Sequence, residues 1–242
     1  MQMSKRTLGT LECIVCEPNA EPKLIASFCH GFGASGTDLV PLADELVTLS
    51  KTLADHLTMV FPAAPIELKE FGYGARAWWP IRFAELQNAM ESGDYSELKR
   101  FIPPQLFEMR DRLDGAVMEL ATELKLPKSR CILGGFSQGA MLSTETVLAS
   151  EENYGGLIAW SGTLLSYDRW KEASPRHKAV PVLQSHGSFD QVLPHGLALE
   201  LKSLLSDAGM SVEFHSFPQG HTIPFEVLEE TANFLSKICE AT

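Results

Sequence analysis

The sequence predicts an α/β fold in which helices cover both faces of a mostly parallel central sheet. Three observations carry this. Short apolar runs alternate with stretches of helical spacing along most of the chain, the pattern of strand–helix–strand units. Residues 131–133 and 157–160 are almost continuously apolar, as strands buried on both faces must be. The 242 residues suffice for one large core and would be tight for two, so one domain is expected.

The elements follow in order. "TLECIVC" (10–16) reads as the first strand and "KLIASFC" (23–29) as the second, ending at the glycine-rich "HGFGASG". From Asp38 to Ala54 the apolar residues Leu39, Leu42, Leu46 and Leu49 recur at helical spacing. "LTMVF" (57–61) is a strand, and residues 62–103 are then non-periodic. A loop that long is functional or disordered. Phe71, Tyr73, Trp78, Trp79 and Phe83 make it too apolar for disorder, so a lid or pocket wall is expected. Helical spacing returns over 105–124, before the strand "RCILGG" (130–135) and the helix "SQGAMLSTETVLAS" (137–150). "GGLIAW" (155–160) is a strand, and an irregular stretch runs to about Ala179. The strand "VPVLQSHG" (180–187), a helix over 196–209, the strand "SVEFHSF" (211–217) and a helix over 224–239 complete the chain.

Composition narrows the function. The net charge is −11 with no basic block, which repels phosphate-rich partners and argues against nucleic acid or anionic membrane surfaces. No signal-peptide pattern opens the sequence and no run could span a bilayer, so a cytoplasmic protein is expected. Five cysteines, an odd number, suit a reducing compartment. Cys13 and Cys16 spell C-x-x-C, but three positions apart on a strand they point to opposite faces. The histidines lack metal-ligand spacing, and no cofactor is implied.

The chemistry centres on Gly135-Phe136-Ser137-Gln138-Gly139, a G-x-S-x-G motif with a strand before it and a helix after. Such a turn lifts the serine to the carboxyl edge of the sheet, and the flanking glycines leave room for crowding chains. A serine hydroxyl needs a base, and the base an orienting carboxylate. On a strand–turn–helix scaffold of this type these follow in the order acid, then histidine, each on a loop after a strand. Asp190 follows "VPVLQSHG" and His221 follows "SVEFHSF". Asp207 ends a helix, Asp168 lies in an irregular stretch, His215 lies inside a strand and His195 begins a helix. Two amides must also face the developing oxyanion. Gln138, next to the serine, and Phe32, in the glycine loop, are placed to supply them.

Gly31-x-Gly33-x-x-Gly36 also fits the dinucleotide fingerprint, G-x-G-x-x-G. Against it, the next strand ends "VFPAAP" with no acidic residue there to hold a ribose, and Asp38 stands where a pyrophosphate would bind.

With these residues placed, the chain resembles the phospholipase/carboxylesterase family of α/β-hydrolases, which includes acyl-protein thioesterases. The resemblance runs through "HGFGASGTDL", "FPAAP", "RAWW", "GGFSQGAML", "SHGSFDQVLP" and "GHTIP". It implies a serine esterase or thioesterase with Ser137 as nucleophile, Asp190 as acid, His221 as base and Phe32 and Gln138 at the oxyanion. Ala34 and Ala140 depart from the aspartate and glycine frequent there, and the segment around 84–101 is about ten residues longer. Phe71, Tyr73, Trp78 and Trp79 are expected to line a pocket for an apolar acyl or aryl group of a small substrate. Activity should fade through mildly acid pH, where an ordinary imidazole gains a proton. Two alternatives remain: a non-catalytic small-ligand receptor on the same fold, and a dinucleotide-dependent oxidoreductase.

Overall fold

A computed structural model describes residues 1–241. Ten strands are present among them: β1 (Gln2–Leu8), β2 (Leu11–Glu17), β3 (Leu24–Cys29), β4 (Leu57–Pro62), β5 (Ile66–Glu67), β6 (Arg76–Ala77), β7 (Cys131–Phe136), β8 (Gly156–Trp160), β9 (Pro181–Gly187) and β10 (Ser211–Phe217). Eight form one sheet in the order β1-β2-β4-β3-β7-β8-β9-β10. From β4 to β10 every pair is parallel, whereas β1–β2 and β2–β4 are antiparallel. The strands read as near-continuous apolar runs are central: β8 is buried at every residue and β7 at all but Phe136, and β3 and β4 beside them are wholly buried too.

Helices α1 (Leu42–Leu49), α2 (Lys51–His56) and α9 (Phe225–Glu240) cover one face, with Leu46, Leu53 and Phe234 in its core. Helices α5 (Leu106–Leu124), α6 (Gln138–Ala149), α7 (Tyr167–Ala173) and α8 (His195–Asp207) cover the other, with Leu113, Leu142, Trp170 and Leu201 in its core. Cys13 falls in this second core and Cys16 in the first, on opposite faces of β2, and all five cysteines are free and buried. The strand geometry that separated them in the sequence holds.

Helix α6 is unusual in being buried at ten of its twelve residues, although four of those are Ser or Thr or Glu. The hydroxyls are satisfied at home: Ser143 Oγ donates to the Gly134 carbonyl, Thr144 to Ala140 and Thr146 to Leu142. This lets a polar sequence occupy the centre of the molecule without orphaned donors.

Four expectations are corrected. β1 precedes the expected first strand; its sequence, QMSKRTL, is mostly exposed and joins the sheet through backbone pairing at an edge. The expected helix over 38–54 is two, because Ser50 is extended (φ −146°, ψ 119°) and its hydroxyl caps α2 at Leu53. Residues 62–103 are not irregular throughout: they hold the β5–β6 hairpin, α3 (Phe83–Ser92) and α4 (Ser96–Arg100). The stretch before Ala179 likewise contains α7, with Asp168 in its first turn. These helices are short and face solvent on most sides, so they leave little periodic signal.

Candidate active site

The carboxyl ends of β3, β7, β9 and β10 meet at one edge of the sheet, where ligand crevices form in open parallel sheets. Loops from these four ends carry Phe32, Ser137, Asp190 and His221.

Ser137 has φ 56° and ψ −117°, a conformation that costs about 1–3 kcal/mol for a residue with a side chain. Packing holds it there. Its N–H donates to the Trp160 carbonyl at 2.9 Å, and its own carbonyl accepts from Ala140 and Met141. Gly135 and Gly139 both press on the Cys29 carbonyl oxygen, where a Cβ on either would overlap it. The residue is left 9% exposed.

His221 is brought beside this turn, its ring 4.6 Å from that of Phe136 between centroids. Its Nδ1 lies 2.7 Å from Asp190 Oδ2, and the hydrogen bond of this histidine runs to Asp190, not to Ser137. The Asp190 side chain is fully buried. Burial by itself would raise its carboxyl, but hydrogen bonds from His186, His221 and the Leu193 amide outweigh it and hold the group well below the usual carboxylate range. The loops bearing the pair are laced together: Ser188 N–H donates to the Phe217 carbonyl and Phe189 N–H to that of Gln219.

The glycine loop is braced from beneath. His30 Nδ1 bonds the Gly31 carbonyl at 2.8 Å, its Nε2 accepts from the Ala64 N–H at 3.1 Å, and Trp78 Nε1 donates to the His30 carbonyl. Across the loop, Gly33 N–H donates to the Arg76 carbonyl and Arg76 N–H to that of Ala34. Among the described residues no backbone carbonyl takes the Phe32 amide. Gln138 opens α6, so no carbonyl of the helix reaches its N–H either. The loop does not lead directly into a helix, since α1 begins only at Leu42; this removes the dipole end on which a pyrophosphate would sit.

Beside Gln138 lies an apolar cavity of about 100 Å³, whose walls include Trp79, Leu86, Leu98, Phe101, Met141 and Leu193. The four aromatics expected to line a pocket divide. Trp79 lines this cavity. Trp78 does not: it is fully buried in the core, where its indole braces His30. Tyr73 is fully exposed on the hairpin, and Phe71 stacks edge-on against Phe32 rather than entering the cavity. The two tryptophans sit on a bend just after β6, and of the pair only Trp79 reaches the cavity.

Two contributors carried no sequence signal of their own. The Gln138 side chain accepts from the Trp78 N–H and donates to the Trp79 carbonyl, both at 2.8 Å, and so fastens the cavity wall to the serine turn. His186, four residues before Asp190, reaches its carboxylate. Among the described residues no group of three or more His, Cys, Asp or Glu is arranged to hold a metal.

A serine on a strained turn, an Asp–His pair beside it and two amides clear of helical or backbone partners can together perform acyl transfer. Comparison with known proteins agrees. Residues 11–239 match the family model described as Phospholipase/Carboxylesterase. The chain belongs to that family. The phospholipase/carboxylesterase match spans every loop of the site, and membership makes the protein an ester hydrolase. It is similar to acyl-protein thioesterase 1 of Neurospora crassa, 31% identical over 87% of this chain and 84% of the relative. It is also similar to acyl-protein thioesterase 1 homolog 1 of Dictyostelium discoideum, 29% identical over 87% of this chain and 88% of the relative. Among solved structures, esterase PE8 shares the fold with a TM-score of 0.73 and 24% identity, covering 98% of this chain and 100% of that one.

Proposed function

We propose that the protein hydrolyses carboxylic esters or thioesters bearing an apolar acyl or aryl group, through an acyl-enzyme on Ser137. The observation that carries this is the buried Asp190 bound to His221 Nδ1 at 2.7 Å beside the strained Ser137 turn. That bond leaves Nε2 of His221 as the free base. His221 takes the Ser137 proton as Oγ attacks the acyl carbonyl, and the oxyanion forms against the Phe32 and Gln138 amides. Collapse expels the alcohol or thiol, which leaves with the proton from His221. A water molecule, deprotonated by the same histidine, then attacks the acyl group and releases the acid and Ser137.

The apolar cavity walled by Trp79 and Leu193 receives the acyl group, and residues 62–103 supply much of its wall within a single catalytic domain. The thioester reading draws support from the thioesterase names of the relatives. Among the described residues no helix is long and apolar enough to cross a membrane. Five free, buried thiols support a reducing, cytoplasmic setting.

Reaction with a fluorescent fluorophosphonate tests the reading. Label is expected on the Ser137 peptide alone and absent from Ser137→Ala, whose ester turnover should fall by about 10⁴- to 10⁶-fold. A folded native protein that takes no label would favour a non-catalytic receptor.

A further inference from the structure

Asp190 is saturated with donors. Its Oδ1 accepts from the Val192 and Leu193 amides at 2.8 and 2.9 Å. Its Oδ2 accepts from His221 Nδ1 at 2.7 Å and faces His186 Nε2 at 3.2 Å. A carboxylate has about four acceptor positions, and all four are in use.

His186 is fully buried at the end of β9. Its Nε2 also lies 2.8 Å from the Leu193 carbonyl, while its Nδ1 is buried with no partner. Only one tautomer fits. With the proton on Nε2, the ring donates to two oxygens and leaves a bare acceptor at Nδ1. With the proton on Nδ1, a buried N–H would go unpaired and the Nε2 lone pair would face two oxygens. Leu193 completes the circuit, since its amide holds Asp190, its carbonyl holds His186 and its side chain lines the apolar cavity.

We infer that His186 is a positioning residue for the acid of the site: its Nε2–H closes the hydrogen-bond shell of Asp190 and ties that shell, through Leu193, to the cavity wall. This rests on the reading of Asp190 and His221 as acid and base. His186 shares Asp190 Oδ2 with His221, so it draws off part of the negative charge that would otherwise steady a protonated His221. The titratable groups facing Asp190 are His221 from the loop after β10, His186 from β9 and His195 from the start of α8. The ring of His195 lies 5.9 Å from that of His186 and its Nε2 is bonded to Ser216.

The experiment is the pH dependence of kcat and KM for a p-nitrophenyl ester, using the native protein, His186→Leu and His186→Gln. The leucine variant keeps bulk and loses the donor. Its kcat should fall about tenfold with little change in KM, and its acid limb should move to higher pH by roughly half a unit or more. Glutamine can place an amide N–H near the Nε2 position and should bring the limb back toward native. A folded leucine variant with an unmoved limb, or a glutamine variant no closer to native than leucine, overturns the inference. If the leucine variant does not fold, long-range ¹H–¹⁵N spectra of the native histidines decide: His186 must show the Nε2–H form, and an Nδ1–H form overturns the role. Fluorophosphonate labelling separates the two levels. Native label absent from Ser137 defeats the site reading and this inference with it, whereas label on Ser137 with an unmoved limb defeats the His186 role alone.

Discussion

Helices α6 and α3 both line the same cavity and are built on opposite terms. In α6 ten of twelve residues are buried, and its first turn is wedged against the Cys29 carbonyl. In α3, which has ten residues, Ala89 alone is buried, and its cavity-facing contacts come from Glu85 and Leu86 at its edge. On the proposed mechanism the α6 side must hold a reacting oxygen and two amides to a fraction of an ångström, which demands close packing. On the same reading the α3 side has only to present apolar surface to an acyl group, and a few half-buried side chains suffice. Precision and adaptability are thus divided between neighbours, and substitutions should separate them.

Gly139→Ala should strike the precise side hardest. Its Cβ would overlap the Cys29 carbonyl oxygen, so backbone must move beneath Ser137. Overpacking of this kind costs about 1–3 kcal/mol, and a displaced nucleophile about 100-fold in rate. Thermal melts and fluorophosphonate labelling rates would reveal both losses. Native labelling kinetics in this variant would show that the turn tolerates more than its packing implies.

Gln138→Met keeps the amide beside Ser137 and removes the side-chain clasp on Trp78 and Trp79. Two buried backbone groups lose their partners, for about 1–3 kcal/mol and a melting temperature lower by roughly 2–10 °C. Because the loosened element is the cavity wall, KM for an apolar ester should rise more than kcat falls. A pure kcat effect would mean that the clasp serves the oxyanion amide instead.

Acid should weaken the precise side before it reaches the acid of the site. Burial pushes the His30 and His177 imidazoles below their ordinary value, so the fold favours their neutral forms to lower pH than the unfolded chain does. Above about pH 6.5 the unfolded chain is neutral at these positions too. As pH falls below that, only the unfolded chain takes up protons, and stability declines until the folded histidines titrate. Asp190 has the opposite chemistry and a lowered value. Its contribution is intact above about pH 4 and is lost only as pH falls from there through its folded value. Calorimetry at pH 7.5, 6, 5 and 4 should show decline already at the first step down, and His177→Gln should reduce that early slope. A melting temperature flat from pH 7.5 to 5 would contradict it.

Leu86→Ala on α3 should be the mildest change. The residue is half-buried at the cavity, so melting should shift by no more than a few degrees. The ratio of long- to short-chain ester turnover should rise about 3- to 10-fold, because the cavity gains room for acyl carbons. An unchanged ratio would place the acyl group elsewhere.

The sequence by itself determined the frame and the order of the candidate site residues along it. Alternating apolar runs, G-x-S-x-G between a strand and a helix, and Asp190 and His221 each directly after a strand are local patterns, enforced by covalent neighbours and by the periods of helix and strand. Tertiary structure alone decided the rest. β1 exists because β2 offers it a backbone edge, and α3, α4 and α7 bury too little to print a period on their sequences. Two adjacent tryptophans share one core, yet only Trp79 also reaches the cavity, on a short stretch bound by His30 and Gln138, 48 and 60 residues from Trp78. Such contacts join residues far apart in the chain, and packing chooses among side chains that look alike in sequence.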